Sequence, residues 1–271
     1  EFKIVRSKFF KTLSHHQGIV DKKNSLPTLS NILIEAKDIA LTLSSTDMDI
    51  SIIEKINCNV LEDGSTTINS QILYDIVRKI DDNSEIEIIS NDGKLLTLRA
   101  DDSRFSLACL PKEDFPIIDK DNSGNTIKIN SKIIFKLIDK TKFAISNEET
   151  RYFLNGLYFN ITKDQSNSIL TLVGTDGHRL AKFSHNIEDN IDHVSGVIIP
   201  KKTIYELCKL LSEIDKDVYI SISSNKIVFK IENIIFISKL IDGSFPDYKR
   251  VIPKDNSNIL KIKRETLLSA V

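Results

Sequence analysis

Apolar and polar residues alternate over residues 2–5 (Phe-Lys-Ile-Val), which predicts a short strand. The period then lengthens: Ser7 is placed to cap a helix that carries Phe9, Phe10 and Leu13 on one face. A loop holding Lys22, Lys23 and Asn24 leads to Pro27, and strand-like runs follow at residues 31–35 and 39–44, reaching Thr46-Asp47. Alternation resumes from Ile50 to Val60, after which Ile72, Leu73, Ile76, Val77 and Ile80 predict a helix over residues 70–80. Strands at 85–90 and 94–100 flank Asn91-Asp92-Gly93, a hairpin turn, and another strand at 105–110 ends near Phe115-Pro116. The polar run 119–125 reads as a linker.

The same pattern then starts again. Val5, Ser7, Phe9, Phe10 and Leu13 return as Ile129, Ser131, Ile133, Ile134 and Leu137, and Asn31-Ile32-Leu33 returns as Asn155-Gly156-Leu157. The second helix repeats most clearly, residues 68–78 against 199–209, with Tyr74 matched by Tyr205. Phe115-Pro116 reappears as Phe245-Pro246, again followed by a polar run, 254–258. Two helices among many strands recur in the same order, so each copy is domain-sized. The expected units are residues 1–121, 122–254 and, from the likeness of 260–268 to 127–135, the start of a third copy at 255–271. A chain ending inside the first helix of a copy reads as truncated.

Between two strand-like stretches lies Gly174-Thr175-Asp176-Gly177-His178-Arg179-Leu180, a tight turn that sets polar groups beside an apolar one. Ser45-Thr46-Asp47 is its fainter copy in the first repeat. Bulk properties narrow the class. At 271 residues, 28% charged and 41% apolar, the chain fits a soluble repeat array better than one core. Cys58, Cys109 and Cys208 are widely spaced and form no CxxC, which points to core thiols in a reducing, cytoplasmic setting. No apolar run is long enough to span a membrane, and residue 1 is Glu rather than Met, which leaves the natural start open.

Three motifs, in order, resemble the bacterial DNA sliding clamp family, the beta subunit of DNA polymerase III. They are residues 151–156 (Arg-Tyr-Phe-Leu-Asn-Gly), residues 175–180, and residues 242–253 (Asp-Gly-Ser-Phe-Pro-Asp-Tyr-Lys-Arg-Val-Ile-Pro); Ser103-Arg104-Phe105-Ser106-Leu107 matches as well. The resemblance implies an α+β fold of tandem clamp domains, each with two helices on an antiparallel framework, helices inside and sheets outside. It implies a head-to-tail homodimeric ring around duplex DNA, gripped without sequence specificity. It also implies a peptide groove for the replicative polymerase, the clamp loader and repair polymerases, with no catalysis, cofactor or metal. Carried over, the groove wall is Leu154, Thr175, Gly177, His178, Arg179, Leu180, Pro246, Arg250 and Val251. Lys23, Tyr152 and Phe153 face DNA, and Ile72, Ile76, Phe105 and Leu107 form one half of the subunit contact. Glu148 stands where relatives carry a neutral polar residue, a departure that weakens any DNA role there.

The residues themselves support part of this. On the helical stretches Lys8, Lys11, Arg78, Lys79, Lys132, Lys136, Lys140, Lys142, Lys201, Lys202 and Lys209 outnumber Asp75, Asp139, Glu206 and Glu213, while the whole chain carries a net charge of −1. Positive helices and an acidic remainder suit phosphate contacts on one surface. The competing account is that Lys favours solvated helix faces. Lys201 and Lys202 follow Pro200, a natural first helical residue, so they sit where the helix dipole disfavours cations and an anion is expected. Leu154, Leu180, Pro246 and Val251 suit an apolar floor and Gly177 a close ligand approach. Tyr152 and Phe153 fit base stacking and core packing equally. No nucleophile elbow, P-loop or glycine fingerprint accompanies Asp176 and His178, and the histidines show no metal spacing. A repeat scaffold that binds proteins only is the alternative.

Overall fold

A computed structural model describes residues 1–20, 26–90, 94–116, 118–119, 126–164, 167–187, 194–254 and 256–271. The loop Lys22–Asn24, the turn at 91–93 and most of the linker lie outside the described residues.

The alternation at the start of the chain becomes β1 (Phe2–Val5), with Phe2 and Ile4 buried, which runs straight into α1 (Arg6–His16). Ser7 does not cap this helix: Val5 is the N-cap residue and no side chain supplies the cap. Arg6 accounts for the earlier start. Its buried guanidinium donates to the carbonyls of Val77 (2.8 Å) and Arg78 (2.7 Å), pairs with Asp82 and lies over Phe10 at 4.4 Å. A cation satisfied in this way ties the first helix to the second.

The first repeat continues with β2 (Asn31–Lys37), β3 (Ala40–Thr46), β4 (Ile50–Asn57), β5 (Asn59–Val60) and β6 (Gly64–Asn69). It closes with α2 (Ser70–Lys79), β7 (Glu85–Ser90), β8 (Leu95–Ala100) and β9 (Ser103–Leu110). The second repeat is β10 (Thr126–Asn130), α3 (Ser131–Asp139), β11 (Gly156–Asp164), β12 (Asn167–Thr175), β13 (Leu180–Ile187) and β14 (Val194–Pro200). It ends with α4 (Lys201–Ser212), β15 (Asp217–Ile222), β16 (Lys226–Ile231) and β17 (Ile234–Lys239). Asn69 and Asn130 cap α2 and α3 through their side chains, accepting from Ile72 N (3.0 Å) and Lys132 N (2.9 Å). Pro200 is the N-cap of α4 rather than its first helical residue, and no side chain caps that helix.

Element for element the halves correspond, β1 to β10, β2 to β11, β4 to β13 and β9 to β17. They join through strand edges. β4 pairs antiparallel with β17, from Ile50 opposite Ser238 to Glu54 opposite Ile234, so one sheet of 13 strands runs through both repeats. β13-β12-β11-β14 forms a separate sheet of four. One core fills the first repeat; another fills the second and takes in Ile19, Ile50 and Ile52 from the first, and a small third cluster, Ile53 with Val228 and Ile237, spans the joint. That shared core makes the joint a packed interface. α1 contacts α2 and α3 contacts α4, while Lys202 of α4 bonds the Ile19 carbonyl just beyond α1. The four helices therefore form one row. Of the expected third copy, α5 (Arg264–Ala270) forms and is exposed, whereas residues 256–263 pair with no strand among the described residues.

Candidate functional site

The groove motif is built on one turn, present twice. Between β12 and β13, Asp176 Oδ1 accepts from His178 N (3.0 Å) and Arg179 N (2.9 Å), Thr175 Oγ1 donates to Arg179 O (2.7 Å), and Gly177 N donates to Thr175 Oγ1 (3.1 Å). Between β3 and β4 the bonds recur: Asp47 Oδ1 accepts from Asp49 N and Ile50 N, Thr46 Oγ1 donates to Ile50 O, and Met48 N donates to Thr46 Oγ1. Gly177 has φ +88° and Met48 +79°, so the same left-handed position carries a glycine in one copy and a methionine in the other. Hydrogen bonds from Arg179 N and then His178 N hold the Asp176 carboxyl down to about 2.

One segment lies against this turn and a second packs on the sheet that carries it. A 3-10 stretch, Glu149–Leu154, lies against it: a Cβ on Gly177 would come within 2.8 Å of Arg151 Nη1. After β17, Phe245 stacks on Tyr158 of β11 (4.9 Å) and Tyr248 packs at 6.2 Å, with Lys182 of β13 at 6.0 Å from the Tyr248 ring. Tyr158, Val173 and Lys182 are register partners, so the segment crosses the face of the four-stranded sheet opposite its core. Leu180 shares that face with Lys182.

Within this constellation Leu154 is buried, Thr175 and Leu180 are half-buried, and Gly177, His178, Arg179, Pro246, Arg250 and Val251 are exposed. Val251 is 69% exposed, a large apolar side chain left to solvent. Arg179 and Arg250 each bond the carboxylate three residues earlier, Asp176 (2.9 Å) and Asp247 (3.0 Å). The sequence did not single out Arg151 beside Gly177, the Tyr158–Tyr248 ring contact, or Phe143, an exposed ring lying 5.8 Å from the Arg179 guanidinium. Arg151 and Tyr248 stood inside the motifs; Phe143 carried no signal.

On the helical row the cations divide. Lys202 bonds Asp47 at 2.5 Å and the Ile19 carbonyl at 3.2 Å, so the anion expected beside it is a carboxylate of the first repeat. Lys201 bonds the Asn147 side chain and lies over Tyr205. Arg78, Lys132, Lys142 and Lys209 pair with Asp75, Asp215, Asp139 and Glu206. Among the described residues Lys8, Lys11, Lys79, Lys136, Lys140 and Lys201 have no carboxylate partner. Tyr152 is exposed and meets half-buried Phe153 edge to face at 5.8 Å, beside Gly243. Glu148 is spent on Arg151 (3.3 Å). Lys23 lies outside the described residues.

Ile72, Ile76 and Phe105 line a cleft of about 530 Å³ between α2 and β9, with Ile72 50% exposed. Leu107 is half-buried against the first core and does not line the cleft.

Residues 1–119 match the family of the DNA polymerase III beta subunit, N-terminal domain, and residues 128–247 that of its central domain. The beta sliding clamp of Caulobacter vibrioides is 39% identical over 269 residues, 99% of this chain and 72% of that protein. The Haemophilus influenzae beta sliding clamp is 33% identical over 271 residues, again 72% of its length. Among solved structures, Caulobacter crescentus pol III beta superposes with a TM-score of 0.92 at 39% identity, covering 99% of this chain and 73% of that one. A sliding clamp from Bartonella birtlesii bound to griselimycin gives 0.88 at 43% identity, covering 93% and 68%.

Proposed function

This chain belongs to the DNA polymerase III beta subunit family, the bacterial sliding clamps, and we propose from that premise how its own residues carry the work of a clamp. A clamp is a non-catalytic processivity factor of DNA replication. The observation that carries the reading is the β4–β17 joint. Because the repeats correspond, β13 is the counterpart of β4 and β9 that of β17. Among the described residues β13 ends its sheet, and β9 pairs with β6 only at Cys109 and Leu110, leaving residues 103–108 with one neighbour, β8. One unlike pair of edges is joined and the matching pair is open. Such a heterologous contact, repeated, turns every unit the same way and closes a ring where the turn per unit divides the circle.

On this reading Ile72, Ile76, Phe105 and Leu107 form one half of a head-to-tail homodimer contact. The repeats divide at 121/122 and 254/255, and the protein works in the cytoplasm. The helical row faces duplex DNA through Arg78, Lys201, Lys202 and Lys209, and the resemblance gives Lys23, Tyr152 and Phe153 the same role. Lysine contacts to phosphate carry no sequence information and exchange readily, which permits sliding.

The turn, the Glu149–Leu154 stretch and the 245–251 segment form the peptide groove through which the replicative polymerase, clamp loader and repair polymerases are held. Its apolar members supply affinity at about 25 cal/mol per Å² buried. The paired, solvated Arg179 and Arg250 contribute less. The griselimycin-bound relative supports a ligand-binding role. Fluorescence anisotropy of a labelled peptide with a Gln, a Leu and a terminal Leu-Phe pair tests it. Leu180→Asp and Val251→Asp should each abolish binding and leave salt-sensitive DNA association unchanged; unaltered binding in both contradicts the groove. A scaffold that binds proteins only would show no DNA association to preserve.

A further inference from the structure

The joint between the repeats contains a second polar device that the clamp's work leaves unexplained. His15, near the end of α1, has a side chain only 8% exposed. Its Nδ1 lies 2.8 Å from Glu54 Oε2, and Glu54, itself buried, is the residue of β4 that faces Ile234 of β17. The Thr12 hydroxyl donates to the other Glu54 oxygen at 3.3 Å. On its far side His15 Nε2 is buried without a hydrogen-bond partner, and the carboxylate nearest to it is Glu213 Oε2, 3.9 Å away at the end of α4 in the second repeat. A cleft of about 250 Å³ opens here, bounded by Ser14, Ile52, Glu206, Lys209, Glu213 and Phe236.

We propose that His15 is a proton-operated latch across the joint. With one ring proton the imidazole serves Glu54 through Nδ1, and Nε2 offers a lone pair to a region bearing carboxylates. With the second proton Nε2 becomes a donor on a cation, and Glu213 closes onto it, tying α1 and β4 of one repeat to α4 of the next.

The other charges around the ring leave it this role. From α4, Glu206 is already paired with Lys209 at 2.7 Å. On α1 itself, Lys11 is exposed one turn back. His16 is fully buried, with Nδ1 on Ser45 Oγ at 2.8 Å, and burial holds it neutral down to about 3. The latch is a property of the joint, independent of what the helical row binds. It makes the angle between repeats firmer when proton concentration rises.

Hydrogen exchange at residues 52–54 and 234–236, corrected for intrinsic rates, reads the firmness of the β4–β17 pairing. His15→Gln keeps a donor toward Glu54 without the charge, and Glu213→Gln changes an exposed side chain, so both variants should fold. From about pH 8 to about pH 5.5 the ratio of protection in the wild type to that in His15→Gln should rise about two- to five-fold. Glu213→Gln should abolish most of that rise. A ratio that stays flat, or a Glu213→Gln protein indistinguishable from the wild type, overturns the latch.

Discussion

Lys202 of α4 reaches back across the joint to Asp47, 2.5 Å away, in the turn that is the first repeat's copy of the groove turn. The carboxylate that caps the turn with one oxygen holds the second repeat with the other. In the second repeat the equivalent Asp176 spends that oxygen on Arg179. One turn therefore does two jobs, fastening a neighbour in one copy and carrying the proposed peptide groove in the other.

Lys201 and Lys202 should consequently separate by experiment. Lys201→Glu should weaken DNA association at low salt and leave stability nearly unchanged. Lys202→Glu should weaken DNA association and also destabilise the joint by about 1 kcal/mol, because Asp47 then faces a like charge. Denaturant melts combined with salt-dependent DNA binding distinguish them. Equal stability of the two variants would mean that the Asp47 contact contributes nothing to the joint.

Met48→Gly and Gly177→Ala should differ in size. Met48, half-exposed at φ +79°, is relieved of left-handed strain by glycine, which also frees the unfolded chain; the two effects nearly cancel, to within about 0.5 kcal/mol. Alanine at Gly177 gains that strain and pushes Arg151 aside, so it should lose about 1–2 kcal/mol and weaken peptide binding. Thermal melts of both variants, with the peptide assay for Gly177→Ala, provide the check.

Acid should act on two residues in two windows. His16 is held at about 3 by burial, so only the unfolded chain takes up its proton below the ordinary 6.5, and stability falls from there towards pH 3. Asp176 is held at about 2 by the Arg179 and His178 amides. Its contribution is complete above the ordinary 3.8 and is lost as pH falls from there through 2. Denaturant midpoints measured against pH should show the upper window vanish in His16→Gln and the lower one shrink in Asp176→Asn.

Much of this was legible in the sequence because core positions leave a periodic trace. The helical stripe Leu73 and Val77, and its counterpart Ile204, Leu207 and Cys208, mark α2 and α4, and the repeat followed from their order. Ser7 misled because Arg6, an ordinary cation by composition, is buried by contacts from residues more than 70 positions away. The pairing of β4 with β17 leaves no mark on local periodicity, since the two strands lie far apart along the chain. The carboxylate partner of Lys202 was hidden for the same reason: Asp47 is 155 residues distant in sequence. The groove motifs were visible as words, whereas Tyr158 and Phe143 acquire a place beside them only once the sheet is folded.

The most direct test of the central claim is topological. The protein that carries this chain, loaded by a clamp loader onto nicked circular duplex, is followed through gel filtration before and after a single restriction cut. A sliding clamp remains with the circle at a salt concentration that breaks lysine–phosphate contacts, and it runs off once the circle is linear. Equal retention on circular and linear DNA, or release from the circle by salt alone, would contradict the account.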